Sequence, residues 1–194
     1  MSEPGIIDDT LVAMVATLEL RYPYARGHSH RVASYAETFA RRLGLSDDEV
    51  TRFRHGAVVH DIGKIGIPDG VLLKRSRLAP GEYALMQRHT LIGDRLCSHV
   101  HTLRHLRPIV RSHHERLDGT GYPDGLRHDA IPLLAQLMTI VDVFDALTTE
   151  RPYRTAWAVD RAYDVLLEEA HRGWRRRDLV DLFIQAGVEH GWVG

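Results

Sequence analysis

The chain has 194 residues, 25 Lys and Arg against 26 Asp and Glu, and a formal net charge of −1, so a core of ordinary size is within reach and no broad field favours a nucleic-acid polymer. One cysteine, Cys97, excludes a disulfide framework and a thiolate zinc site and fits a reducing, cytoplasmic setting. No apolar run approaches the roughly 18 residues of a membrane span, and the start lacks the basic-then-apolar form of a signal peptide.

Ile7, Leu11, Met14, Val15 and Leu18 recur at helical spacing and predict an amphipathic helix over 6–20, interrupted by Pro23. Gly27 loosens the chain before a second helix over 28–43, which buries Val32, Tyr35, Ala36, Phe39 and Leu43 and ends at Gly44. Ser46 and Glu49 form a capping box for a third, which carries Val50, Phe53, Ala57 and Val58 and ends at His60-Asp61, with Gly63, Gly66 and Pro68 beyond. Pro80 opens a helix over 80–98, with Leu85, Met86, His89 and Ile92 on one face. A helix over 100–115 is bent or restarted at Pro108. The loop HERLDGTGYPDGLRH at 114–128 is rich in Gly, Asp and Pro, and so long a loop in a compact domain is functional or disordered. Pro132 opens a helix over 132–149 with Leu134, Leu137, Ile140, Val141 and Phe144, and two more over 158–172 and 177–190 close the chain. No strand alternation, repeat or low-complexity segment interrupts this pattern, which predicts an all-α bundle of about seven to eight helices.

The chemistry centres on His60-Asp61-Ile62-Gly63-Lys64. Adjacent His and Asp offer an imidazole and a carboxylate from one point, and Lys64 returns to the same face one turn on. A lone His-Asp pair is weak evidence, but the chain holds 13 histidines, and histidine is the commonest metal ligand. His28 opens a helix, His89 lies on an apolar face, and His113-His114 stand before the Gly-rich loop. Asp142 sits among Ile140, Val141, Val143 and Phe144, where a bare carboxylate is costly, and Asp145 shares its face. Each has a bland alternative: a first-turn histidine, a satisfied core histidine, a carboxylate paired with arginine. Together, five histidines and two aspartates can build two octahedral-like metal sites with Asp61 bridging. Two such ions, about 3.5–4 Å apart, hydrolyse phosphate esters through a bridging hydroxide. An N/O ligand set suits iron or manganese, with nickel and zinc behind them. His99, His101, His105, His128, His171 and His190 read as scattered.

The succession His28, HDIGK at 60–64, IPDGVLLK at 67–74, His89, HHERLDGTGYPDGL at 113–126 and DVFDALTTERPYR at 142–154 resembles the HD-GYP domains of bacteria, over about residues 10–185. The resemblance implies an all-α HD-superfamily hydrolase with a two- or three-metal centre that opens cyclic di-GMP to pGpG and often on to GMP. It implies a single domain over 1–194, with 1–27 as an N-terminal helix and lead-in and 28–190 as the metal-binding core. By matching position, His28, His60, Asp61, His89, His113, His114 and Asp142 are the ligands. Lys64 contacts a substrate phosphate or protonates the leaving oxygen, and Asp145 orients or pairs with Lys64. Gly121-Tyr122-Pro123 shape the loop beside the substrate, and Arg151 and Arg154 hold phosphate or guanine edges.

Three departures from the family pattern matter. Tyr24 stands where members with a third metal carry a glutamate, so two metals are expected. Tyr22-Pro23-Tyr24-Ala25 replaces Asp-Pro-Tyr-Thr, and Trp174-Arg175-Arg176-Arg177 replaces a late FDP-like element, which changes the rim of the pocket. The three arginines read as a solvated helix start. Relatives of this family carry a receiver or sensor domain ahead of the catalytic part, and 27 residues precede His28 here, so control is expected from a partner chain, from another copy as in a homodimer, or not at all, unless the chain is an excised fragment. The alternatives to a cyclic di-GMP phosphodiesterase are a low-turnover cyclic-dinucleotide sensor and an HD hydrolase of another cyclic dinucleotide or nucleotide ester.

Overall fold

Local chemistry sets the helix boundaries. The computed structural model describes residues 4–22, 27–150 and 155–192, with side chains from Asp9 onward. Among these residues are ten α-helices: α1 Pro4–Arg21, α2 His28–Arg42, α3 Asp47–Val59, α4 Asp69–Leu72, α5 Pro80–Gln87, α6 His89–His99, α7 Arg107–Ser112, α8 Leu133–Thr148, α9 Val159–His171 and α10 Arg177–Glu189. Short 3-10 turns occupy Ile62–Gly66, His101–Leu106 and His128–Ala130. The capping box of α3 is formed: the Glu49 N–H donates to the Ser46 hydroxyl at 3.4 Å and the Ser46 N–H donates to the Glu49 carboxylate at 3.0 Å. Gly27, with φ 73°, turns the chain into α2, and Gly44, with φ 75°, closes it.

The all-α class is as expected, and the helix count is higher for two reasons. Asp69–Leu72 forms an extra turn, and the helix expected over 80–98 is two. At Arg88 the N–H donates to the Leu85 carbonyl three residues back, at 3.1 Å, and the helix restarts at His89. The break separates α5, which buries no residue, from α6, which buries His89, Gly93 and Cys97. Leu85 therefore stays exposed rather than sharing the His89 face. The segment 100–115 restarts at Arg107, beside Pro108, and its helix ends at Ser112. The third helix stops one residue before the HD pair, and Lys64 lies in a 3-10 turn.

Two bodies of apolar packing meet along α3. The larger joins α2, α3, α8, α9 and α10, with Phe144 of α8 at its centre: Tyr35, Tyr163, Phe183 and Trp192 lie 5.2–5.9 Å from it, ring centroid to centroid. The smaller joins Leu11 and Leu18 of α1, Val59, Ile62, Cys97, Leu103, Leu106 and Val110. No helix among the described residues is long and apolar enough to cross a membrane.

Gly63 is the point of closest approach. A methyl group there would lie 1.8 Å from the His89 carbonyl oxygen and 2.5 Å from the Gly93 nitrogen, both backbone atoms. The bare backbone lets the Ile62–Gly66 turn lie directly on α6. Gly63→Ala is expected to lower stability by about 2–3 kcal/mol through forced backbone displacement, a fall in Tm of roughly 5–10 °C. Gly70→Ala, where an added methyl meets nothing within 4 Å, is the matched control. Equal melting temperatures for the two variants would contradict the packing role of Gly63.

Candidate metal centre

Three imidazoles of the centre are held by backbone carbonyls three residues back, and a fourth by a carboxylate. His60 follows α3, and its Nδ1 bonds the Ala57 carbonyl at 2.8 Å; His89 bonds Met86 and His113 bonds Val110 in the same way, at 2.8 Å each. A carbonyl only accepts, so these bonds keep the proton on Nδ1 and leave the Nε2 lone pair facing inward. The Nδ1 of His28 donates to the Asp145 carboxylate at 2.7 Å, with the same consequence.

The inward atoms form two groups, Asp61 with His89, His113 and His114, and His28 with His60 and Asp142. Nε2 of His89 lies 3.3 Å from Nε2 of His113, and Nε2 of His28 lies 3.3 Å from Nε2 of His60. Asp61 spans them. Its Oδ1 is 3.3 Å from His89 Nε2 and 3.9 Å from His113 Nε2, while its Oδ2 is 3.4 Å from His60 Nε2 and 4.0 Å from His28 Nε2. Asp142 Oδ1 faces His28 and His60 at 3.4 and 3.7 Å. Asp61 Oδ1 is buried with no hydrogen-bond partner. Asp61 Oδ1 thus faces the acceptor nitrogens of His89 and His113 with no proton between them, which fits a cation there.

The charges agree. Burial opposes ionisation of Asp61 and Asp142, yet Lys64 and His60 hold Asp61, and His60 and His28 hold Asp142, well below the usual carboxylate range. Burial also works against a charged His60, but Asp61 and Asp142 outweigh it and raise its pKa to about 10. Burial pushes His89 down to about 4 and His114 down to about 3, and drives His113 well below its ordinary value, so these three rings stay neutral, as metal binding would require.

A family model described as an HD domain matches residues 13–175. The chain belongs to the HD-domain family. The 3'3'-cGAMP-specific phosphodiesterase 3 of Vibrio cholerae is 36% identical over 170 residues, covering 85% of this chain and 37% of that protein. The cyclic di-GMP phosphodiesterase response regulator RpfG of Xanthomonas campestris is 42% identical over 167 residues, covering 84% of this chain and 44% of the relative. The chain thus spans less than half the length of these relatives. The crystal structure of a cyclic GMP-AMP specific phosphodiesterase of V. cholerae, V-cGAP3, aligns with TM-score 0.60 and 28% identity over 95% of this chain and 42% of that one. The HD domain of L. monocytogenes phosphodiesterase PgpH aligns with TM-score 0.67 at 16% identity, over 92% of this chain and 98% of that one, a likeness of fold alone.

The HD-domain site gathers all seven residues that the sequence singled out as ligands. Lys64 also reaches it, through an ion pair with Asp61 three residues back. Asp145 does not pair with Lys64 as expected: its carboxylate binds His28 and, at 2.6 and 3.1 Å, the Arg31 guanidinium. Tyr122 stacks on His114, with ring centroids 4.7 Å apart and planes 29° from parallel. Gly121 passes over the Arg116 nitrogen, where a methyl would sit at 2.4 Å. Tyr24, Arg151 and Arg154 lie outside the described residues.

Two residues of the HD-domain site were missed. Glu115, immediately after the histidine pair, is buried and accepts the N–H groups of Asp124, Gly125 and Leu126 at 2.8, 3.1 and 3.0 Å, which folds the loop back over His114. Arg31 supports Asp145 from one turn beyond His28. The reading of Arg175 as solvated is corrected: it is buried against Glu169 at 2.6 Å, while Arg176 and Arg177 pair on the surface with Asp178 and Asp181.

Asp145→Asn keeps the volume but weakens the hold on the His28 tautomer. Metal affinity is expected to fall about 10–100-fold in chelator competition; an affinity within twofold of the parent would remove Asp145 from the metal-orienting set.

Proposed function

We propose that this chain hydrolyses a phosphodiester bond of a cyclic dinucleotide, with cyclic di-GMP opened to pGpG, the product being pGpG or, after a second cut, GMP. The observation that carries the reading is the division of Asp61's two oxygens between two groups of inward-facing imidazoles. The relatives, one named for cyclic di-GMP and one for 3'3'-cGAMP, support the substrate class. On this reading His89, His113 and His114 hold one divalent ion, His28, His60 and Asp142 hold a second, and Asp61 is shared. Bound ions of this kind supply Lewis-acid stabilisation of the phosphate and a lowered pKa for attacking water.

The remaining work falls to side chains. Lys64, tied to Asp61, stands ready to hold a phosphate oxygen or to give its proton to the leaving oxygen. Asp145 and Arg31 fix the ring of His28. The loop pinned by Glu115 holds Tyr122 over His114 and shields that side of the site from water. Arg151 and Arg154 are assigned to the substrate on the strength of the motif alone. 3'3'-cGAMP is the second substrate to test, because the relative at 36% identity is specific for it.

His60→Ala and Asp61→Ala are each expected to lower kcat/KM for cyclic di-GMP by roughly 10²-fold or more, the loss of several kcal/mol of charge stabilisation. Product chromatography on metal-loaded protein reads the result. Turnover close to the parent's in either variant, with metal retained, would overturn the assignment. Cleavage of neither cyclic di-GMP nor 3'3'-cGAMP by the parent would overturn the substrate class.

A further inference from the structure

Beside the loop, a flat cationic surface remains that the proposed hydrolysis does not use. Arg116 stands two residues after His114, where Gly121 crosses its backbone. Its guanidinium carbon lies 3.7 Å from the centroid of the Trp174 ring system. The Trp174 backbone is itself held: its carbonyl accepts the Leu117 N–H at 3.1 Å. Several arginines nearby are taken by carboxylates, Arg111 by Asp124 and Asp94, Arg175 by Glu169, Arg176 by Asp178 and Arg177 by Asp181. Among the described residues, Arg116 has no carboxylate within ion-pair distance.

We propose that Arg116, held flat on Trp174, reads the guanine of the substrate through its N7 and O6 edge. The inference rests on the reading of the site as one for cyclic dinucleotides and names what that site selects. A stacked guanidinium has lost its freedom to swing, and its N–H fork presents two parallel donors in one plane. Guanine offers two acceptors at that spacing. Adenine offers an acceptor and a donor, so one Arg116 N–H would face an N–H. A phosphate also suits the fork: the scissile phosphate belongs at the centre, with Lys64 and the ions, and the second phosphate of the ring is the competing occupant that the comparison with cyclic di-AMP separates. The Tyr122 ring, stacked on His114, gives the loop side of the site an aromatic surface that suits a base.

The test is steady-state kinetics of the metal-loaded full chain and of Arg116→Lys and Arg116→Gln on cyclic di-GMP, cyclic di-AMP and bis(4-nitrophenyl) phosphate, a diester without a base. Lysine keeps the charge and loses the fork; glutamine loses both. Both variants are expected to raise KM for cyclic di-GMP roughly 10-fold or more, with kcat, metal content and turnover of the base-free diester unchanged. An unchanged KM, or an equal rise for cyclic di-AMP, would overturn the proposal; the equal rise would make Arg116 a phosphate contact. Equilibrium binding of GMP against AMP needs no turnover and separates this proposal from the one it rests on. Should the parent cleave no cyclic dinucleotide, the proposed function fails by itself. A GMP preference that Arg116→Lys erases would still support the guanine contact, and a preference that survives, or none in the parent, would overturn it.

Discussion

Three backbone carbonyls and one carboxylate occupy the Nδ1 atoms of His60, His89, His113 and His28, and the rest of the site follows from that constraint. With the protons held on the outside, the lone pairs must converge inside. A carboxylate placed among them adds further lone pairs, and Asp61 Oδ1 is left without a donor. In a dry interior such an arrangement is stable only around positive charge. Lys64 and a protonated His60 supply part of it. Divalent ions would supply more, and would release His60 to act as a neutral ligand.

The fold serves this constraint at a few close contacts. The turn after α3 lies on α6 because Gly63 has no side chain to hold it off. That brings Asp61 up to His89, which the break at Arg88 has turned inward. Phe144 anchors α8 in the larger core, and Asp142 and Asp145 flank it on the same helix, so the packing that orders the core also sets the carboxylates. Glu115 does for the loop what Gly63 does for the turn, by drawing three N–H groups onto one buried carboxylate.

What could be read from the chain was whatever depends on short spacing or on residue type. The Ser46 box, the return of Lys64 to the Asp61 face one turn on and the helical class are local. The seven metal-side residues were legible because carboxylates and imidazoles in apolar helices need a reason to be there. What depends on the chain meeting itself was not legible. Asp145 and Arg31 are 114 residues apart, so the partner of Asp145 was misassigned to Lys64. Arg175 stands in a run of three arginines that looks solvated, and only the turn between α9 and α10 buries it against Glu169. Glu115 stood in the motif at 113–126 but was given no role, because its partners are backbone groups of a loop whose path the sequence does not reveal.

The most direct test is the metal stoichiometry of the anaerobically prepared chain at saturation, by elemental analysis alongside titration. A shared Asp61 between two imidazole groups predicts two ions per chain. One ion per chain would mean that the two groups act as a single site, and three would mean that a further ligand set exists; either result contradicts the account.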